Sequence, residues 1–92
     1  MKPTVGRIVH YKLSEADISE INRRRALYEF KGNPVSAGEV VPVIVAIVWP
    51  DEFGAGIPGI NGQALLDGED SLWICSRREG PNSGEWMWPE RV

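Results

Sequence analysis

Few residues in this chain could carry catalytic chemistry. His10 is the sole histidine and Cys75 the sole cysteine. A Ser/His/Asp arrangement would have to use His10, which sits beside Tyr11 in a strand-like stretch and not on an active-site loop. It reads as a half-buried histidine at a rim. Cys75, alternating with Trp73 and Ile74 in a strand pattern, reads as a small core thiol. Asp67, Glu69 and Asp70 could gather oxygen around a divalent cation, but they lack the ligand order of a calcium loop. Asp67-Gly68-Glu69-Asp70 reads instead as a hairpin turn with solvated charges. No metal, no cofactor and no enzymatic activity are expected.

Arginine and tryptophan are the residues suited to binding. Arg23, Arg24 and Arg25 are consecutive, and so are Arg77 and Arg78. Guanidinium forks match phosphate oxygens bidentately, so two arginines of the first run joined by Arg77 or Arg78 would make an anion pocket. Consecutive helical residues point about 100° apart, so the whole run cannot serve one ligand in one monomer. The alternative is a solvated helix end whose arginines pair with Glu15, Asp17, Glu20 or Glu29. Of the 4 tryptophans, Trp86 and Trp88 share a face of the last strand, and Trp73 falls on the strand expected beside it. A row of indoles could stack a base or anchor a protein. The other arrangement puts Trp49 and Trp73 in the core, with Trp86 and Trp88 covering one end.

Composition bounds the partners. The chain has 92 residues, 42% hydrophobic and 25% charged, and a net charge of -3. That describes one globular domain, residues 1–92, with a small core. The charge argues against a protein that wraps a nucleic-acid backbone through many cationic contacts. The longest apolar run, Val40 to Trp49, is about half of the ~20 residues needed to cross a bilayer. The N-terminal residues lack a signal-peptide pattern, and a lone cysteine suits a reducing compartment. A cytoplasmic protein is expected.

Five strands and one helix must position these residues. Val5 to Lys12 reads as the first strand, with Val9 and Tyr11 on one face. Ser14 caps a helix, Asp17 completes the capping box, and Leu13 staples to Ile18. The helix is expected over Glu15 to about Ala26 or a little further, with a break at Lys31-Gly32-Asn33-Pro34. Val40 to Trp49 is apolar on both faces, the pattern of a strand buried on both sides. Pro42 cannot donate to a ladder and is expected at an edge or bulge. After an irregular loop from Pro50 to Gly59, Asn61–Leu66 and Ser71–Arg77 form a hairpin, and Glu85–Trp88 is a last short strand. The string suggests a mainly β (α+β) fold, a small SH3-like five-stranded barrel with one helix inserted after the first strand; an open α+β roll shares it. Arg7 and Arg91 would approach if the chain ends met.

Gly6-Arg7-Ile8-Val9-His10-Tyr11, Ile21-Asn22-Arg23-Arg24-Arg25, Asn61-Gly62-Gln63 with Leu66-Asp67-Gly68-Glu69-Asp70 and Trp73, and Trp86-Met87-Trp88-Pro89 form one constellation. Over about Val5 to Val92 it resembles a family of small uncharacterised proteins of tailed bacteriophages. Relatives carry a longer helical insertion before Gly32-Asn33, so Ala26 to Lys31 is shortened here. The resemblance implies a phage product acting in the host cytoplasm. One expectation is a non-catalytic protein that sequesters a phosphate-bearing small ligand, a nucleotide immune signal, like other small phage proteins that soak up nucleotide messengers. Arg23, Arg24, Arg25, Arg77, Arg78, Trp73, Trp86 and Trp88 would hold it. A homo-oligomer is expected, because pockets between copies enclose a small anion better than a monomer of this size. The alternative is a protein-protein interaction module or minor phage assembly factor that docks through its indoles and the Phe53 loop.

Overall fold

The hydrophobic alternation in Val40–Trp49 organises the molecule. In the computed structural model, which describes residues 1 to 90, this segment is the central strand of one antiparallel sheet. Arg91, and with it any approach to Arg7, lies outside the described residues. The elements are β1 (Ile8–Lys12), α1 (Glu15–Tyr28), β2 (Val40–Trp49), β3 (Gly59–Leu65), β4 (Ser71–Arg77) and β5 (Trp86–Met87). Strand order is β4-β3-β2-β1-β5, every neighbouring pair antiparallel. The fold is mainly β with one helix, and the sheet does not close on itself. One parallel bridge, Glu79 to Trp86, joins the segment after β4 to β5.

The helix starts where Ser14 places it. Ser14 Oγ accepts from Asp17 N at 3.2 Å, and Asp17 Oδ2 accepts from Ser14 N at 2.9 Å, so both arms of the capping box are present. Leu13 is fully buried and Ile18 packs on the same cluster. The helix ends at Glu29, which takes a left-handed conformation (φ 59°), so it runs past Ala26 to Tyr28. Ile21 joins Val9, Tyr11, Leu13, Val43, Val45, Ile60, Ile74 and Trp86 in the core.

The reading of β2 as buried on both sides is corrected. Val41, Val43 and Val45 face the core, whereas Val40, Ile44, Ile47 and Trp49 are exposed. The physical reason is that, among the described residues, the single helix lies over one face of the sheet and no second layer covers the other. Pro42 is in a central strand and away from the bulge, which lies between Val45 and Ile47. Val45 N donates to Arg7 O, so alternation makes Pro42 and His10 a non-hydrogen-bonded pair. The missing N–H of Pro42 therefore faces the β3 side, where the ladder has ended at Val43–Ala64.

Glycine decides one close approach. A side chain on Gly62 would run into the carbonyl oxygen of Ile44 and come within 2.7 Å of Val43 Cγ1. Gly62 is the inward position of β3 between Ile60 and Ala64, where backbone replaces side chain in the core.

Candidate functional site

Both arginine groups are anchored by β4, but at opposite ends. Arg25 Nε and Nη2 bind the two oxygens of Asp70 at 2.9 and 3.1 Å, and Nη1 donates to Asn33 O at 2.7 Å. The pair is nearly buried, with side-chain exposures of 11% and 3%. Hydrogen bonding to Arg25 holds the Asp70 carboxyl below its ordinary range, and the same bond raises the Arg25 guanidinium. Arg24 Nη1 donates to Ser71 O at 3.0 Å, and its guanidinium lies 5.9 Å from the Phe30 ring. Arg23 is exposed and pairs with Glu20. This run ties the helix to the β3–β4 turn.

The acidic turn is used in the same way. Asp67 Oδ2 accepts from Asn33 Nδ2 at 2.8 Å, and Glu69 Oε1 accepts from Lys31 N at 2.8 Å. Among the described residues no group of three His, Cys, Asp or Glu is placed to hold a metal ion.

Arg77 and Arg78 sit at the far end of β4, roughly 20 Å of strand away at about 3.3 Å per residue. The structure does not bring them together with the helix arginines. A left-handed Ser76 (φ 57°), whose N–H donates to Asn61 Oδ1 at 2.7 Å, shifts the register so that Arg77 pairs with Ile60. Arg77 thereby turns toward the start of α1. Its Nη2 lies 3.9 Å from Asp17 Oδ1, and its guanidinium 5.9 Å from the Tyr11 ring. Asp17 is the buried carboxylate of the helix cap, and Tyr11 OH donates to it at 2.6 Å. Burial first, then the bond to Asp17, pushes the Tyr11 hydroxyl well above its ordinary pKa. Arg77 Nε is buried without a hydrogen-bond partner.

A polar cavity of about 240 Å³ opens here, lined by Phe53, Ser76, Arg77, Arg78, Gly84 and Glu85 among others. Arg78 Nε is 3.4 Å from Glu85 Oε2, and its guanidinium lies 5.8 Å from the Phe53 ring. Gly84 (φ 84°) brings bare backbone toward Arg77, since a Cβ there would stand 3.5 Å from Arg77 Nη1. A larger apolar cavity of about 400 Å³, lined by Pro3, Val48, Pro50, Pro58 and Glu79 among others, borders the same 50–58 loop. The loop is ordered by Asp51, whose Oδ1 accepts from Gly56 N at 2.6 Å.

The tryptophans do not form one row. Trp86 is fully buried and meets Trp88 edge-on at 5.4 Å. Its Nε1 is buried without a partner. Trp88 is half-buried with the Arg7 guanidinium 5.1 Å from its ring. Trp73 is on the opposite face of the sheet, at the opposite edge, because the buried Leu72 and Ile74 on either side of it force it outward. The arrangement with Trp49 and Trp73 in the core is also not found, since both are about half exposed (47% and 48%). The same alternation corrects Cys75, which is exposed and not a core thiol. His10 is half-buried.

What sequence reasoning missed is Tyr11, Asp17 and Phe53 as neighbours of Arg77 and Arg78. The capping motif signalled Asp17, but nothing signalled the register shift at Ser76 that brings Arg77 to it. No protein-family model matches the chain, and neither curated proteins nor solved structures yield a match.

Proposed function

We propose that this protein is a non-catalytic binding protein that sequesters a phosphate-bearing small ligand at the Arg77–Arg78 cleft. The observation that carries the reading is a pair of adjacent guanidiniums at one polar cavity, one with an unpartnered N–H. Arg25 is committed to Asp70 and the Asn33 carbonyl and Arg24 is tied to the Ser71 carbonyl, whereas Arg77 and Arg78 are adjacent arginines that line one cavity together. An incoming phosphate would take Arg78 from Glu85, and Phe53 offers a ring for a base. At about 240 Å³ the cleft suits a phosphate group better than a whole nucleotide. Enclosure of the rest calls for a further copy, hence a homo-oligomer. The likeness to phage proteins supports a nucleotide immune signal as the ligand and the host cytoplasm as its place. The Glu79–Trp86 bridge, with Trp86 N donating to Arg78 O, supports classing the curved sheet with SH3-like barrels. A second reading, an interaction module or minor assembly factor, is favoured by the exposed outer face of the sheet.

Thermal unfolding with inorganic phosphate and with linear and cyclic nucleotides tests the first reading. A ligand at 100 times its dissociation constant stabilises by about 2.7 kcal/mol, a shift of roughly 10 °C or more in so small a domain. One nucleotide should give that shift and be recovered intact, and Arg78→Ala should abolish it while leaving the ligand-free midpoint within about 2 °C. Equal midpoints across the panel would sink the proposal.

A further inference from the structure

Each arginine of the cleft faces a carboxylate, and the two carboxylates are held differently. Asp17 is buried in the helix cap, where its Oδ2 accepts from Tyr11 OH at 2.6 Å and from Ser14 N at 2.9 Å. Its Oδ1 lies 3.9 Å from Arg77 Nη2, close enough to act through charge but beyond a hydrogen bond. Glu85 lines the cleft itself. Its Oε1 accepts from Asn82 N at 3.0 Å, and its Oε2 stands 3.4 Å from Arg78 Nε, longer than the ~2.7–2.9 Å of a strong charge-assisted bond. The Glu85 backbone is tied on both sides, its N–H to Asn82 O at 3.1 Å and its carbonyl to Lys12 N at 3.3 Å. Exchange at Arg78 therefore needs one side chain to rotate and no loop to move. Lys12 reaches the same turn, where its ammonium donates to Pro81 O at 2.9 Å.

We propose that Glu85 sets the specificity of the cleft: it is an internal ligand of Arg78 that an incoming anion must displace, so the cleft admits phosphate monoesters and shuts out carboxylates. The inference rests on the anion-binding reading above and names the ligand group which that site takes. A side chain tethered beside its partner competes at an effective concentration of about millimolar or more. Every external anion is weakened by the same factor, and only one that binds well without it stays above the threshold. An external carboxylate brings the same charge and the same two oxygens as Glu85, so it gains nothing in the exchange and still bears the cost of association. A phosphate monoester carries about −1.5 to −2 charges and three acceptor oxygens at neutral pH. Two of those oxygens match the Arg78 fork, and the third is left for Arg77, whose buried Nε has no partner.

The test is a nuclear magnetic resonance titration of the full chain with methyl phosphate and with acetate, at about pH 8, above the phosphate ester pKa of about 6. In the wild-type chain, methyl phosphate should move the Arg77 and Arg78 Nε–Hε signals and the Asn82 amide along one saturation curve, because the Asn82 N–H loses its carboxylate acceptor as Glu85 leaves. Acetate at the same concentrations should leave all three in place. Glu85→Gln should bind methyl phosphate at least about 10-fold more tightly and should let acetate shift Arg78, as loss of a tethered competitor requires. Glu79→Gln removes an equal charge one residue from Arg78 and leaves the Arg78–Glu85 pair in place, so its affinity should stay within about twofold of wild type. Methyl phosphate binding with the Asn82 amide unmoved, acetate binding as tight as methyl phosphate, or a Glu85→Gln variant no tighter than Glu79→Gln would each overturn the inference and leave the anion cleft standing. No shift at Arg77 or Arg78 in any of these proteins overturns both. The two wild-type titrations decide alone if Glu85→Gln does not fold.

Discussion

Arg25 and Arg77 deliver the same guanidinium to opposite ends of β4, and their surroundings give them different tasks. Arg25 is saturated by Asp70 and Asn33, so its work is structural. Asp70→Asn leaves that nearly buried guanidinium without its counter-charge and should destabilise by about 3 kcal/mol at pH 7, read as a shift in urea midpoint. The folded-state pKa of Asp70 is depressed, so its contribution is present above the unfolded value of about 3.9 and is lost as pH falls through the folded one. Asp70→Asn should therefore flatten the stability profile below about pH 4. Tyr11→Phe removes the hydroxyl that donates to the buried Asp17 carboxylate and should destabilise by about 1 to 3 kcal/mol in the same measurement. Residue types alone pointed to the arginines as candidates for binding. They could not show which were free, because Asp70 and Asp17 find their partners only through strand register.

Local elements were more legible than side-chain partnerships. The Ser14–Asp17 box fixed the helix start and the turn residues Asp67 to Asp70 fixed the β3–β4 hairpin, because each signal resides within a few adjacent residues. Ser14→Ala should cost about 1 kcal/mol of stability through the lost cap, measured by denaturant unfolding. Gly62→Val should be worse, at about 3 kcal/mol or more, since the added carbons meet the Ile44 carbonyl and a packed Val43. Two features escaped the sequence. Apolar residues on both faces of β2 read as double burial, yet the described residues include only one helix to supply a covering layer. The single left-handed Ser76 reoriented Arg77, and a non-glycine residue in that conformation carries no compositional mark.

At the scale of the whole molecule, one helix covers one face of a five-stranded sheet, and the other face is left apolar. Division of labour follows from that asymmetry. Arginines near the helix end brace the covered side, the outer face is left bare, and a polar cleft opens beyond β4. The register of β4 located the cleft. The most direct measurement of the central claim is a titration followed through the arginine Nε–Hε signals by nuclear magnetic resonance, using inorganic phosphate and then the nucleotide that stabilises most. Saturable shifts at Arg77 and Arg78, with Arg24 and Arg25 unmoved, are the predicted result. Shifts confined to the helix arginines, or no shift at Arg77 and Arg78 at saturating ligand, would contradict it.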